Sequence, residues 1–314
     1  MEHSVILSRF TEPSNKYSTK NMIAKAKSLM RKIGNHNYPP EWPQIHFAPL
    51  AKEPTFLFLF TPPYSGSTAL AKILNSAHGS MALNGNCEGQ WLVPGMCKLD
   101  RWKPEKHIEW SSVRSVWLSK VRMVEDLVGR IDLVIEKSPP NLVRSSQLLE
   151  NFPNHEIIVF NRNPYANCAS ILFRHHDPEN KSEEQRIKIV EGLAKQWAFR
   201  SAYAKKIIDL HDPVAFTYEE FCSDIASTMN ATVERISLLN GINPDIEVKI
   251  KDYAPQKISD QNKRQIAKLS ERELEVIGQT LKENESLLNS FGYTSEWKKD
   301  VEQGGAGNVA PRRA

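Results

Sequence analysis

Residues 55–70 read TFLFLFTPPYSGSTAL. The apolar and aromatic run from Thr55 to Phe60 ends abruptly at Pro62-Pro63. Ser65-Gly66-Ser67-Thr68 follows, and an apolar helical pattern begins there. This spells a buried strand, a tight loop and the start of a helix. Small residues in such a loop leave backbone N–H groups and hydroxyls able to point at an anion. The helix N-terminus adds partial positive charge at the same place. For this segment alone a plainer reading stays open, a Pro-Pro turn followed by a Ser/Thr helix cap.

The same alternation continues downstream. Strands are expected at 131–135 (IDLVI), 156–160 (EIIVF) and 213–217 (PVAFT). Helices are expected at 68–77, 101–128, 141–151, 165–175, 182–209, 218–240 and 270–290. Residues 78–100 read as a turn-rich connection. Short apolar strands alternating with helices make βαβ units, and right-handed crossovers then place the strands in parallel. The expected fold class is α/β, three layers with a central parallel sheet flanked by helices. Residues 1–50 read as a lead-in with one helix at Asn21–Ile33, residues 51–297 as a single domain, and 298–314 as a disordered tail. Ligands of such sheets bind at the carboxyl ends of the strands. Here those ends are 61–68, 136–141 and 161–165, which predicts one shared crevice.

Composition is that of an ordinary soluble protein, with 25% charged residues in a chain of 314. A net charge of +4 admits an anionic ligand without calling for nucleic acid. The chain shows neither an apolar signal segment nor a run long enough to span a bilayer. Cys87, Cys97, Cys168 and Cys222 have no disulfide-scaffold density and no CxxC spacing, so free thiols in a reducing, cytoplasmic compartment are expected. No metal-ligand spacing occurs. His175 and His176 are adjacent, and their rings diverge on a helix.

A triphosphate-binding Walker loop needs GxxxxGK[ST]. Thr61 stands at its first glycine and Ser67 at its lysine, which argues against ATPase-type chemistry. A second constellation, Asn161-Arg162-Asn163-Pro164, follows the strand at 156–160. Arg162 offers a planar fork for a phosphate. Ser170 and Arg174 lie four apart on the next helix and share a face.

Taken together, PPYSGSTAL and RNPYANCAS resemble the sulfotransferases that use 3′-phosphoadenosine 5′-phosphosulfate. The likeness runs from about residue 55 to residue 222, with a weaker echo in residues 262–293. It is nearest to the tyrosylprotein and carbohydrate branch and to bacterial members. It implies a P-loop-like fold and transfer of a sulfuryl group to a hydroxyl acceptor without a metal. Tyr64, Ser65, Gly66, Ser67 and Thr68 would then hold the 5′ side of the donor. Arg162 and Ser170 would hold the 3′-phosphate, with Arg174 and Tyr218 in support. Glu88, in Asn86-Cys87-Glu88-Gly89, carries over as general base, and Lys137, in Glu136-Lys137-Ser138-Pro139, as the charge stabiliser. The acceptor stays open among carbohydrate, lipid headgroup, small molecule and protein tyrosine, and a homodimer is admitted.

The chain departs from the family in two places. Tyr64 stands where many members have Lys or Arg. Lys137 then supplies the charge alone, or the chemistry is weak, or the protein binds without turnover. Trp91 stands where the tyrosylprotein branch has a substrate-holding arginine, which speaks against assuming a peptide acceptor. Residues 101–122 add Arg101, Lys103, Lys106, Arg114, Lys120 and Arg122, interleaved with Trp102, Trp110 and Trp117. That pattern reads either as a surface for an anionic acceptor or as an amphipathic helix with a solvated face. The competing functions are a nucleotide-kinase-type phosphotransferase and a non-catalytic nucleotide-binding protein.

Overall fold

The computed structural model describes residues 50, 52–249 and 254–297. The expected helix at 21–33 and the tail from 298 lie outside the described residues. The strands are β1 (Thr55–Phe60), β2 (Ser80–Ala82), β3 (Leu133–Glu136), β4 (His155–Asn161) and β5 (Val214–Thr217). They form one sheet in the order β2-β3-β1-β4-β5, every pairing parallel. β1 therefore lies in the middle, with β3 and β4 as its neighbours. The strand order turns about β1, the position at which open α/β sheets form ligand crevices.

β1 explains the layering. Side chains alternate across a strand. Phe56, Phe58 and Phe60 enter one core, and Leu57 and Leu59 enter the other. The phenylalanine core is covered by α2 (Trp110–Val128), α3 (Ser145–Asn151), α4 (Pro164–His175), α5 (Glu183–His211) and α9 (Glu271–Leu281). Against the leucine core pack α1 (Ser67–Leu74), α6 (Tyr218–Ser223) and α7 (Ile225–Arg235). Phe56 meets Phe152 edge-on at 4.7 Å between ring centroids, a geometry that adds to the burial of both rings. Two short helices, α8 (Asn262–Ile266) and α10 (Glu285–Ser290), complete the α-helices of the described residues.

Several expectations are corrected. The turn-rich stretch 78–100 contains β2, which forms the sheet edge beside β3. The helix expected at 101–128 begins at Trp110, after a short 3₁₀ turn at Leu99–Trp102. The helix expected at 218–240 breaks at Asp224, whose extended backbone and side chain cap α7 by accepting from Ser227 N at 2.9 Å. The helix expected at 270–290 breaks at Lys282–Asn284. Trp110 and Trp117 point into the core, and Trp102 lies over the Arg200 guanidinium at 4.2 Å. Arg114, Lys106 and Arg122 pair with Glu53, Asp100 and Asp126. Three of the six cations of the 101–122 stretch are thus paired with carboxylates. All four cysteines are free thiols. Among the described residues, no helix is long and apolar enough to cross a membrane.

Candidate functional site

The loop after β1 wraps tightly. Tyr64 and Gly66 both have positive φ, 64° and 84°. Gly66 is required here. A Cβ at this residue would lie 2.6 Å from Cδ2 of Tyr218, and φ 84° already disfavours any L side chain. α1 starts immediately afterwards, with no side-chain cap. Among the described residues, the N–H groups of Ser65, Gly66, Ser67 and Thr68 donate to no backbone or side-chain acceptor, while Gly66 O accepts from Ala69 N. Ser65 Oγ is fully buried and has no partner. A cluster of donors at a helix N-terminus, with one orphaned buried hydroxyl, suits an anion.

Arg162 enters from the end of β4. Its Nε donates to Asn262 Oδ1 at 2.8 Å. Its Nη1 donates to the Tyr64 carbonyl at 2.9 Å and reaches Ser170 Oγ at 3.4 Å. Nη2 is buried without a partner. The guanidinium lies over the Tyr218 ring at 4.3 Å. Tyr218 donates its hydroxyl proton to Ser259 O at 3.0 Å and accepts from Gln261 N at 3.1 Å. Burial pushes its phenol well above the ordinary range. Tyr218 therefore acts as a packed support beneath both Gly66 and Arg162.

Behind Arg162 lies a polar network. Asn262 Nδ2 donates to Glu219 Oε1, and Tyr293 Oη donates to Glu219 Oε2 at 2.6 Å. Asn163 N also donates to Glu219, at 3.1 Å. Burial raises the Glu219 carboxyl above its usual range, and these donors offset only part of that rise. Asn262, Glu219 and Tyr293 were not singled out from the sequence. Asn262 lies 100 residues from Arg162, and no local pattern marks a contact at that separation.

The third strand end carries Lys137, 2% exposed. Its Nζ bridges Thr68 Oγ1 at 3.2 Å and Glu88 Oε1 at 2.8 Å. Glu88 Oε2 accepts from Gln90 Nε2 and Trp91 Nε1, each at 2.8 Å. Burial pushes the Glu88 carboxyl up, but the Lys137 ammonium and these donors outweigh it and hold the group below the usual carboxylate range. The loop bearing Glu88 is built locally. Asn84 Oδ1 accepts from Glu88 N at 3.0 Å, and Lys137 N donates to Cys87 O at 2.6 Å. Glu136, fully buried, accepts from Gly89 N and Ser138 N, both at 2.9 Å. Burial raises its carboxyl to about 7.

The loop at 61–68, Lys137 with Glu88, and Arg162 with Ser170 are thus brought together at neighbouring strand ends. Arg174 is exposed on the last turn of α4, and its charge acts on Tyr64. Tyr64 itself shares a hydrogen bond between Oη and His175 Nε2, with the rings edge-on at 5.3 Å. Among the described residues, no group of three His, Cys, Asp or Glu side chains could hold a metal ion.

No protein-family model and no curated protein sequence matches the chain. Among solved structures it is similar to sulfotransferase STF9 from Mycobacterium avium, at 12% identity and a TM-score of 0.46 over 60% of this chain and 64% of that one. The chain thus spans less than two thirds of that protein. A sulfotransferase from Alicyclobacillus acidocaldarius aligns at 15% identity and a TM-score of 0.46, over 76% of this chain and 96% of that one. The sulfotransferase domain of the curacin biosynthetic pathway gives 16% identity and a TM-score of 0.37, over 62% and 79%. Likeness at this level bears on neither substrate nor mechanism.

Proposed function

We propose that the protein is a sulfotransferase that moves a sulfuryl group from 3′-phosphoadenosine 5′-phosphosulfate to a hydroxyl. One observation carries the reading: two buried donors, Ser65 Oγ and Arg162 Nη2, lack partners at the ends of adjacent strands β1 and β4. Leaving such groups unpaired costs roughly 1–3 kcal/mol each, more for a charged one. Read as two anion positions, they fit a nucleotide with phosphates on both sides of its ribose. The Ser65–Thr68 N–H groups would take the 5′ side, and Arg162 with Ser170 the 3′-phosphate. Arg174 and Tyr218 support that second position, by charge and by packing.

In-line transfer forms one S–O bond to the acceptor and breaks the one to the donor phosphate. The acceptor hydroxyl loses its proton to Glu88. Lys137 and the loop N–H groups stabilise charge on the transferring group and leaving oxygen. As it stands, Glu88 is a weak base, since Lys137 pairs with it at 2.8 Å. Turning Nζ from Glu88 toward the donor would raise the basicity of Glu88 at the moment it is needed. Trp91, 57% exposed and bonded to Glu88, marks the side from which the acceptor would approach. The cytoplasm is the compartment proposed.

Calorimetry with adenosine 3′,5′-bisphosphate tests the assignment. Arg162→Ala is expected to weaken binding at least a hundredfold, given the usual cost of removing a buried charged partner from an anion. Equal affinity in the variant and the parent protein would sink it.

A further inference from the structure

Arg144 is 2% exposed and closes the 3₁₀ turn Pro139–Arg144, which follows Lys137 and Ser138. Its Nη1 donates to the carbonyls of Arg101 at 2.7 Å and Lys103 at 3.1 Å. Nε and Nη2 are buried and have no partner among the described residues. These two nitrogens form the side-on fork of the guanidinium, whose parallel N–H bonds match two oxygens of one anion. Arg186 shows the same fork in use. Its Nε and Nη2 donate to the two carboxylate oxygens of Glu273 at 2.8 and 2.9 Å. Arg162 differs, because Asn262 already takes its Nε and only Nη2 lacks a partner.

The surroundings are cationic. Arg200, 8% exposed, lies over the Trp102 ring at 4.2 Å, within the Arg101–Lys103 stretch that Arg144 holds. Burial lowers the Arg200 guanidinium to about 10, with Cys168 opposing and the charge of Arg101 adding to the effect. Burial also lowers Arg144, and Asp100 opposes through its charge. Asp100 itself pairs with Lys106, at 2.5 Å. Among the described residues, none of Arg101, Arg144 and Arg200 forms an ion pair. Buried arginines are ordinarily paired, since an unpartnered buried charge costs more than a neutral group.

We infer that the Arg144 fork binds an oxyanion, a carboxylate, sulfate or phosphate group, with Arg101 and Arg200 supplying further positive charge. The site uses none of the residues assigned to the nucleotide, so the inference stands apart from that reading. Two oxygens of the anion accept from Nε and Nη2, one each. A water molecule brings no charge to the fork, and chloride has no pair of oxygens to match it. The bound anion also fixes the guanidinium whose Nη1 holds the Arg101 and Lys103 carbonyls, and so ties that stretch to the 3₁₀ turn. Six residues of 3₁₀ helix at about 2 Å each place Arg144 about 12 Å from Ser138. Ser138 Oγ accepts from Gln90 N, beside Glu88. The oxyanion site is therefore a neighbour of the candidate site and not part of it.

The test follows thermal unfolding of the full chain in sodium sulfate, sodium phosphate and sodium acetate. Sodium chloride at equal ionic strength is the reference, so that screening is held constant. Arg144→Lys keeps the charge and removes the fork. Arg101→Ala removes a neighbouring charge and leaves both Arg144 and its carbonyl partners in place. The readout is the difference between proteins, so any anion held at the loop 61–68 cancels. Apparent affinity for at least one of the three oxyanions should fall about tenfold or more in Arg144→Lys. In Arg101→Ala it should fall about twofold to fivefold. A crystal structure with the tightest of the three should place two of its oxygens on Arg144 Nε and Nη2. Should Arg144→Lys fail to fold, Arg101→Ala and that crystal structure decide. Stabilisation by none of the three beyond chloride, affinities unchanged in the variants, or an anion seated elsewhere would overturn the inference.

Discussion

Replacing Gly66 with alanine tests the joint between the loop at 61–68 and its support. The added Cβ would lie 2.6 and 2.7 Å from Cδ2 and Cε2 of the Tyr218 ring. Such contacts are well inside van der Waals distance, so either the loop or the ring must move. The ring is not free to swing. Its hydroxyl holds Ser259 O and Gln261 N, and Arg162 lies 4.3 Å above its face. Losing one of those hydrogen bonds costs about 1 kcal/mol. Losing a partly desolvated cation–π contact costs about another 1–2 kcal/mol. Left-handed φ adds roughly 1–2 kcal/mol for alanine over glycine. The total expected is about 3–5 kcal/mol, read as a drop in unfolding free energy from urea titrations of both proteins. A change under about 0.5 kcal/mol, the range of neutral surface substitutions, would refute the packing of Tyr218 beneath the loop.

Glu88→Gln should abolish turnover while leaving bisphosphate affinity within about twofold, because the amide oxygen still receives Lys137; equal losses in both would move Glu88 out of the base role. Asn262→Ala removes the acceptor for Arg162 Nε and a donor to Glu219, so bisphosphate affinity should fall about tenfold by calorimetry. Glu136 gives a pH signature. Its folded carboxyl is raised to about 7, above the unfolded value, so its contribution is fully present below the unfolded pKa and is lost as pH rises through about 7. The parent protein should therefore lose on the order of 3 kcal/mol between pH 4.5 and pH 8 relative to Glu136→Gln, as read by urea midpoints; identical pH profiles would contradict it.

The sheet was readable because its strands are apolar runs bounded by Gly, Pro and polar residues. Thr55–Phe60 carries the run most clearly, and its observed limits match the expected ones. β2 was not readable, since Ser80-Met81-Ala82 has no apolar run and becomes a strand only by pairing with β3. The break at Asp224 had a local signal, a carboxylate three residues before Ser227, masked by the helical pattern on both sides. For the candidate site, the strand-end rule brought Thr68, Lys137 and Arg162 to one end of the sheet. The supports behind them were invisible for a different reason. Asn262 and Tyr293 reach Glu219 across 43 and 74 residues of chain, and only the folded C-terminal segment makes them neighbours. The Tyr64–His175 contact, 111 residues apart, was hidden in the same way.

The central claim is a two-phosphate site built on the loop at 61–68 and on Arg162. Thermal unfolding with adenosine 3′,5′-bisphosphate, ATP and GTP side by side tests it most directly, since a ligand stabilises the state that binds it. At about a hundredfold excess over Kd the bisphosphate should raise Tm by on the order of 5 °C, and the triphosphates by much less, with or without magnesium. A larger shift with ATP or GTP in magnesium, and none with the bisphosphate, would contradict the account.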